Sequence, residues 1–139
     1  VFNGAYAGAT IPWHLHLHVT TDPFPVEGLR AAHEQDYPTP LRVFPITARA
    51  DIARHVLDWE CRDPVHHRVN LLVAPHGGRS AVFVFLRDTR ATIASNKGLM
   101  GGWEVAGDFA YSDRRTEFEG ADLGAVRGAF AQIRPPALT

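Results

Sequence analysis

Two β-prone runs, HRVNLLVAP (His67–Pro75) and SAVFVFLRD (Ser80–Asp88), are separated only by HGGR (His76–Arg79). β-branched and aromatic residues favour extended backbone, and adjacent glycines supply the positive φ angles of a tight hairpin turn. An antiparallel hairpin is therefore expected, and the rest of the chain must cover it. From about Arg49 to Cys61, Ile52, Val56 and Trp59 keep helical spacing, and Pro64 ends the segment. Near the end, Leu123, Val126, Phe130 and Ile133 fall on one helical face, stopped by Pro135 and Pro136. PLRVFPI (Pro40–Ile46) reads as a short strand that its prolines confine to a sheet edge. TTDPFPVEG (Thr21–Gly28) reads as an irregular Pro/Gly connection, and WEVAGDFAY (Trp103–Tyr111) as a further strand. Mostly antiparallel strands with two helices give an α+β fold class.

At 139 residues the chain has room for one hydrophobic core, so residues 1–139 are taken as a single domain. A formal net charge of -1 argues against nucleic acid held by a broad basic surface. No apolar run approaches a membrane span, and no signal peptide is visible. The single cysteine, Cys61, excludes an internal disulfide and fits a reducing, cytoplasmic setting.

The chemistry concentrates in IPWHLHLHVT (Ile11–Thr20), where His14, His16 and His18 alternate with Leu15, Leu17 and Val19. On a strand the imidazoles share one face, and the aliphatic residues are expected to pack the core from the other. Three readings compete. The row could be simply polar and solvent-facing. It could hold zinc, with a further ligand from His33, His55, His66, His67 or His76. However, His66 and His67 are consecutive, Cys61 sits at a helix end, and the spacing matches no closed zinc motif. The third reading is nucleophilic attack on phosphorus. A neutral imidazole can attack an α-phosphate if a neighbour fixes its tautomer. His16, with an imidazole on each side, is the natural nucleophile. The small-residue AGAT segment (Ala7–Thr10) can turn backbone N–H groups towards an anion, and Thr10 adds a hydroxyl. Only this reading uses the loop as well as the histidines.

These residues resemble the histidine-triad superfamily of nucleotide hydrolases and transferases: Asn3, then Gly8-Ala9-Thr10, then His14, His16 and His18. PFPVEG, VNLLVAPHGGRSAVFVFLRD, GGWEVAGDFAY and EFEGADLGAVRGAF follow in the order, and with the character, of its GDP-hexose phosphorylase branch. That branch includes the GDP-L-galactose and GDP-D-glucose phosphorylases. The VNLLV hairpin is also similar to adenylyltransferase-type diadenosine polyphosphate phosphorylases. The resemblance implies a nucleotide sugar and inorganic phosphate as reactants. His16 would form a covalent nucleotidyl adduct, His14 would orient it, and His18 would contact the phosphate or leaving group. Asn3, Gly8, Ala9 and Thr10 would lie against the phosphates. Arg87 and Lys97 would neutralise charge, by position and charge alone; the alternative is a pair of solvated loop-end cations. Trp103 and Glu104 match a branch motif, and Trp13 would pack at the strand entrance. No cofactor is implied; Mg²⁺ would enter only with the substrate.

Transferases and phosphorylases of this superfamily usually carry glutamine at the third triad position, whereas hydrolases carry histidine. His18 therefore leaves the second acceptor, phosphate or water, open. The chain also opens on Val1, close to the start of the motif, so the expectation is a C-terminal part of a longer protein. An upstream half or a second chain would then complete the site. A nucleotide hydrolase and a non-catalytic nucleotide-binding domain stay as rivals.

Overall fold

A computed structural model describes residues 1–4, 17–90, 101–108 and 122–135. Its centre is the expected hairpin: β3 (His67–His76) pairs antiparallel with β4 (Arg79–Asp88) in continuous register from His67↔Asp88 to His76↔Arg79. Gly77 and Gly78 make the turn at φ 58° and 77°, the left-handed region that side chains resist. β2 (Leu41–Pro45) joins the free side of β4, and β1 (Phe2–Asn3) joins β3, so the antiparallel sheet runs β1-β3-β4-β2. β2 is at an edge, as its prolines require.

Both faces of most of the hairpin are covered, which is why its apolar residues run on without polar alternation; Val73, near the turn, stays exposed. On one face α1 (Arg49–Glu60) sets Ile52, Val56 and Trp59 against Val69, Val82, Val84 and Leu86. Trp59 is the buried anchor, and its Nε1 donates to the Arg68 carbonyl at 3.1 Å. On the other face Leu41, Leu72, Phe83 and Phe85 meet Phe24, Val26, Val105, Phe130 and Ile133. Phe83 and Phe85 are fully buried, each contributing about 1.5–3 kcal/mol of transfer free energy. The last two core residues lie on α3 (Leu123–Ile133), whose N-cap Asp122 accepts from the Ala125 N–H at 2.8 Å. Leu123, expected on the buried face, is instead exposed, one turn before the helix reaches the core.

The expected strand at WEVAG is a correction. Residues Gly102–Val105 form a single helical turn, α2, and Phe109–Tyr111 lie outside the described residues. Glu104 decides it locally, because its Oε2 accepts the Gly101 N–H at 2.8 Å and closes the first turn. Likewise PVEG (Pro25–Gly28) is a short 3₁₀ turn rather than irregular chain, with the Glu27 carboxylate taking the Phe24 N–H. The described residues thus form an α+β unit: a four-stranded antiparallel sheet with three helices.

Candidate functional site

β1 is only two residues long, yet it carries the site. Asn3 pairs with Asn70 across the sheet, and the Gly4 N–H donates to the Val69 carbonyl at 3.0 Å. The chain returns beside β1 at Leu17, which bridges antiparallel to Phe2. The Val1 nitrogen donates to the His18 carbonyl at 2.7 Å, and the His18 N–H to the Val1 carbonyl at 3.0 Å. Alternation then places His18 on the same side of the sheet as Asn3. The His18 ring meets Trp103 of α2 edge-on, centroids 6.1 Å apart and planes at 85°, and Trp103 packs in turn on Phe24.

Behind this lies a buried polar chain. Arg87 Nη1 donates to Asn70 Oδ1 at 3.0 Å, and Asn70 Nδ2 donates to Asn3 Oδ1 at 2.7 Å. The Gly102 N–H donates to the same Asn3 oxygen at 2.7 Å. Arg87 is 3% exposed and Asn70 fully buried. Burial pulls the Arg87 guanidinium down to about 10, partly countered by Glu104 nearby. Burial also pushes the Glu104 carboxyl above its usual range, against the hydrogen bonds it accepts and the attraction of Arg87. Close approach is essential where α2 meets β1. A Cβ on Gly102 would stand 2.5 Å from Val1 Cγ1 and 2.7 Å from Asn3 Oδ1.

Three of the residues singled out by sequence, Asn3, His18 and Arg87, therefore fall on one side of the sheet, Asn3 and His18 at the β1 edge and Arg87 two strands in on β4, with Trp103 and Glu104 beside them. Gly8, Ala9, Thr10, Trp13, His14, His16 and Lys97 lie outside the described residues. Arg87 is not a solvated loop-end cation; it is a buried residue of β4 standing behind Asn70. Sequence reasoning missed Asn70 and Gly102. Asn70 had a signal: it is the polar exception inside the apolar run Val69–Ala74, and a buried amide must be hydrogen-bonded. Gly102 had none, since its partners are remote in sequence.

The expected core role of the aliphatic residues between the histidines fails where the structure describes them. Leu17 is 70% and Val19 93% exposed. α1 covers the middle of that sheet face and stops short of the β1 edge. Leu17 and Val19 instead line an open, mainly apolar groove of about 1080 Å³ with Phe2, Ile52, Leu71 and Val73. Leu15 lies outside the described residues.

Of the further histidines named for a metal site, the His33 side chain lies outside the described residues, and the other four are engaged separately. His66 Nδ1 bonds Asp63, while His67 stacks on Trp59 at 3.7 Å and bonds the Trp59 carbonyl through Nδ1. His55 packs on Phe44, and His76 on Phe83. Among the described residues no three His, Cys, Asp or Glu side chains converge on a metal-sized space. Nor does any described helix have the length and apolarity to cross a membrane. Comparison with known proteins finds no matching family model, no matching curated protein and no matching solved structure.

Proposed function

We propose that this chain is a histidine-triad-like nucleotidyltransferase, acting as a phosphorylase on a nucleoside diphosphate sugar, with GDP-hexose the favoured substrate. The observation that carries the reading is the convergence at the β1 edge. His18 stands on the same side of the sheet as Asn3, and Asn3 is backed by the buried Arg87–Asn70 pair. An anion held there would meet the Asn3 amide and a neighbouring imidazole, with the buried Arg87 charge behind Asn70, where water screens it little.

In the first step a nitrogen of His16 attacks the α-phosphorus, forming a P–N bond as the bond to the β-phosphate oxygen breaks. Hexose 1-phosphate leaves. In the second step an oxygen of inorganic phosphate attacks the same phosphorus, the P–N bond breaks and GDP is released. His14 orients His16, and Gly8, Ala9 and Thr10 with Asn3 hold the phosphoryl oxygens. Lys97 adds positive charge. The lone, exposed Cys61 suits a cytoplasmic setting. Histidine rather than glutamine at position 18 favours a second reading, in which water takes the nucleotidyl group and GMP is the product.

Intact mass after brief incubation with GDP-glucose tests both, beside His16→Asn. A gain of one guanylyl group, absent from the variant and reversed by phosphate with release of GDP, supports the phosphorylase. Reversal by water alone supports the hydrolase. If no adduct forms with GDP-, ADP- or UDP-sugars, covalent catalysis by His16 is excluded.

A further inference from the structure

The polar chain behind Asn3 has a direction fixed by chemistry. A guanidinium can only donate, so the Asn70 atom facing Arg87 must be its oxygen. Asn70 therefore turns its NH₂ to Asn3 and requires an oxygen there. The Gly102 N–H, arriving from α2, requires an oxygen at the same place. Two independent donors thus hold Asn3 Oδ1 inward and leave its Nδ2 amide to donate elsewhere. Neither amide is free to flip, although a carboxamide in isolation has little preference between its two ends.

This arrangement is costly as a structural device. It sets a guanidinium and an amide into a sheet whose other buried positions on that face are Phe, Leu and Ala, where an apolar pair of similar volume serves stability as well or better. Its distinctive product is the polarity of Asn3. We infer that Arg87 and Asn70, with the Gly102 N–H, are positioning residues that hold Asn3 as a hydrogen-bond donor to the phosphoryl group. Arg87 is then not itself a substrate ligand. The inference rests on the nucleotidyl-transfer reading and reassigns one of its residues.

Asn70→Asp separates the two roles. The carboxylate still accepts from Arg87, so the structural bond survives, but it cannot donate to Asn3. The measurement is the rate of guanylyl adduct formation with GDP-glucose, across substrate concentration, together with the urea midpoint. The saturating rate is expected to fall about 100-fold, as for a misplaced reacting group. The half-saturating concentration should move much less, and the urea midpoint should be retained. Should Asn70→Asp not fold, Asn3→Asp reads the same point, because it keeps the inward oxygen and replaces only the outward donor. It should show the same loss of saturating rate. A wild-type rate in a folded Asn70→Asp overturns the inference while leaving the reading intact; a wild-type rate in Asn3→Asp overturns it too and removes Asn3 from the phosphoryl contacts of the reading. Absence of any adduct on the wild type removes the reading, and the inference with it.

Discussion

The amide nitrogen of Gly102 lies 2.7 Å from Oδ1 of Asn3, 99 residues away in sequence, and a Cβ at position 102 would stand equally close to that oxygen. The contact ties the one-turn helix α2 to the two-residue strand β1, so any side chain there must push the two apart. Gly102→Ala is expected to cost about 1–3 kcal/mol through overpacking and displacement of Asn3. Gly28→Ala is the control, because nothing lies within 4 Å of its added Cβ; it should stay within about 0.5 kcal/mol of wild type. Urea denaturation of both variants makes the comparison, and equal midpoints would refute the close approach.

His18 separates the fate of the covalent intermediate from its formation, on the reading proposed above. Its backbone is pinned to Val1 and its ring rests on Trp103, so a glutamine there keeps the strand pairing and alters only the side chain. His18→Gln should still form the adduct but lose proton transfer to and from water, slowing hydrolysis by about 100-fold. Adduct decay with and without phosphate, followed by intact mass, measures this. Unchanged decay in water would show that His18 moves no proton in that step.

Trp59 stabilises the end of the hairpin through three contacts of different kinds. It is 3% exposed, its indole donates to the Arg68 carbonyl, and the His67 ring stacks on it with planes 5° apart. Trp59→Ala should cost about 3–5 kcal/mol as a core truncation. Trp59→Phe keeps a ring for His67 but leaves the Arg68 carbonyl without its donor, at about 1–3 kcal/mol. Chemical denaturation should therefore place the phenylalanine variant between wild type and alanine; a phenylalanine variant as unstable as alanine would count against the packing contribution.

Asp88 makes part of the stability dependent on pH. The Arg90 side chain, paired with its carboxylate, holds Asp88 below the usual carboxylate range, against a smaller upward push from burial. A carboxyl with a lowered folded pKa binds fewer protons folded than unfolded. Its contribution is thus full above about pH 4 and disappears as pH falls through the lower folded value. Asp88→Asn should lower stability at pH 7 only modestly, because Arg90 is half-exposed and water screens the pair, and should flatten the loss between neutral and acid pH. Parallel urea curves for wild type and variant across that range would contradict the assignment.

The sequence by itself determined the elements whose causes are local. The Gly77–Gly78 turn, the proline-bounded edge strand β2, and the Ile52–Val56–Trp59 and Val126–Phe130–Ile133 stripes each follow from residues within a turn or two of one another. Their backbone preference and apolar period do not depend on what they pack against. Even the short helix α2 had a local cause in Glu104, masked by the β-prone look of its neighbours. What only the tertiary structure decided was the pairing of distant polar groups and the exposure of apolar ones. Asn3, Asn70, Arg87 and Gly102 form one chain because strand register and the docking of α2 bring them within hydrogen-bond reach. No propensity acting over a few residues encodes a contact spanning 67 or 99. Leu17 and Val19 carried a core pattern and stayed exposed for the complementary reason: alternation assigns a residue to a face of the sheet, but only the reach of α1 determines how far that face is covered.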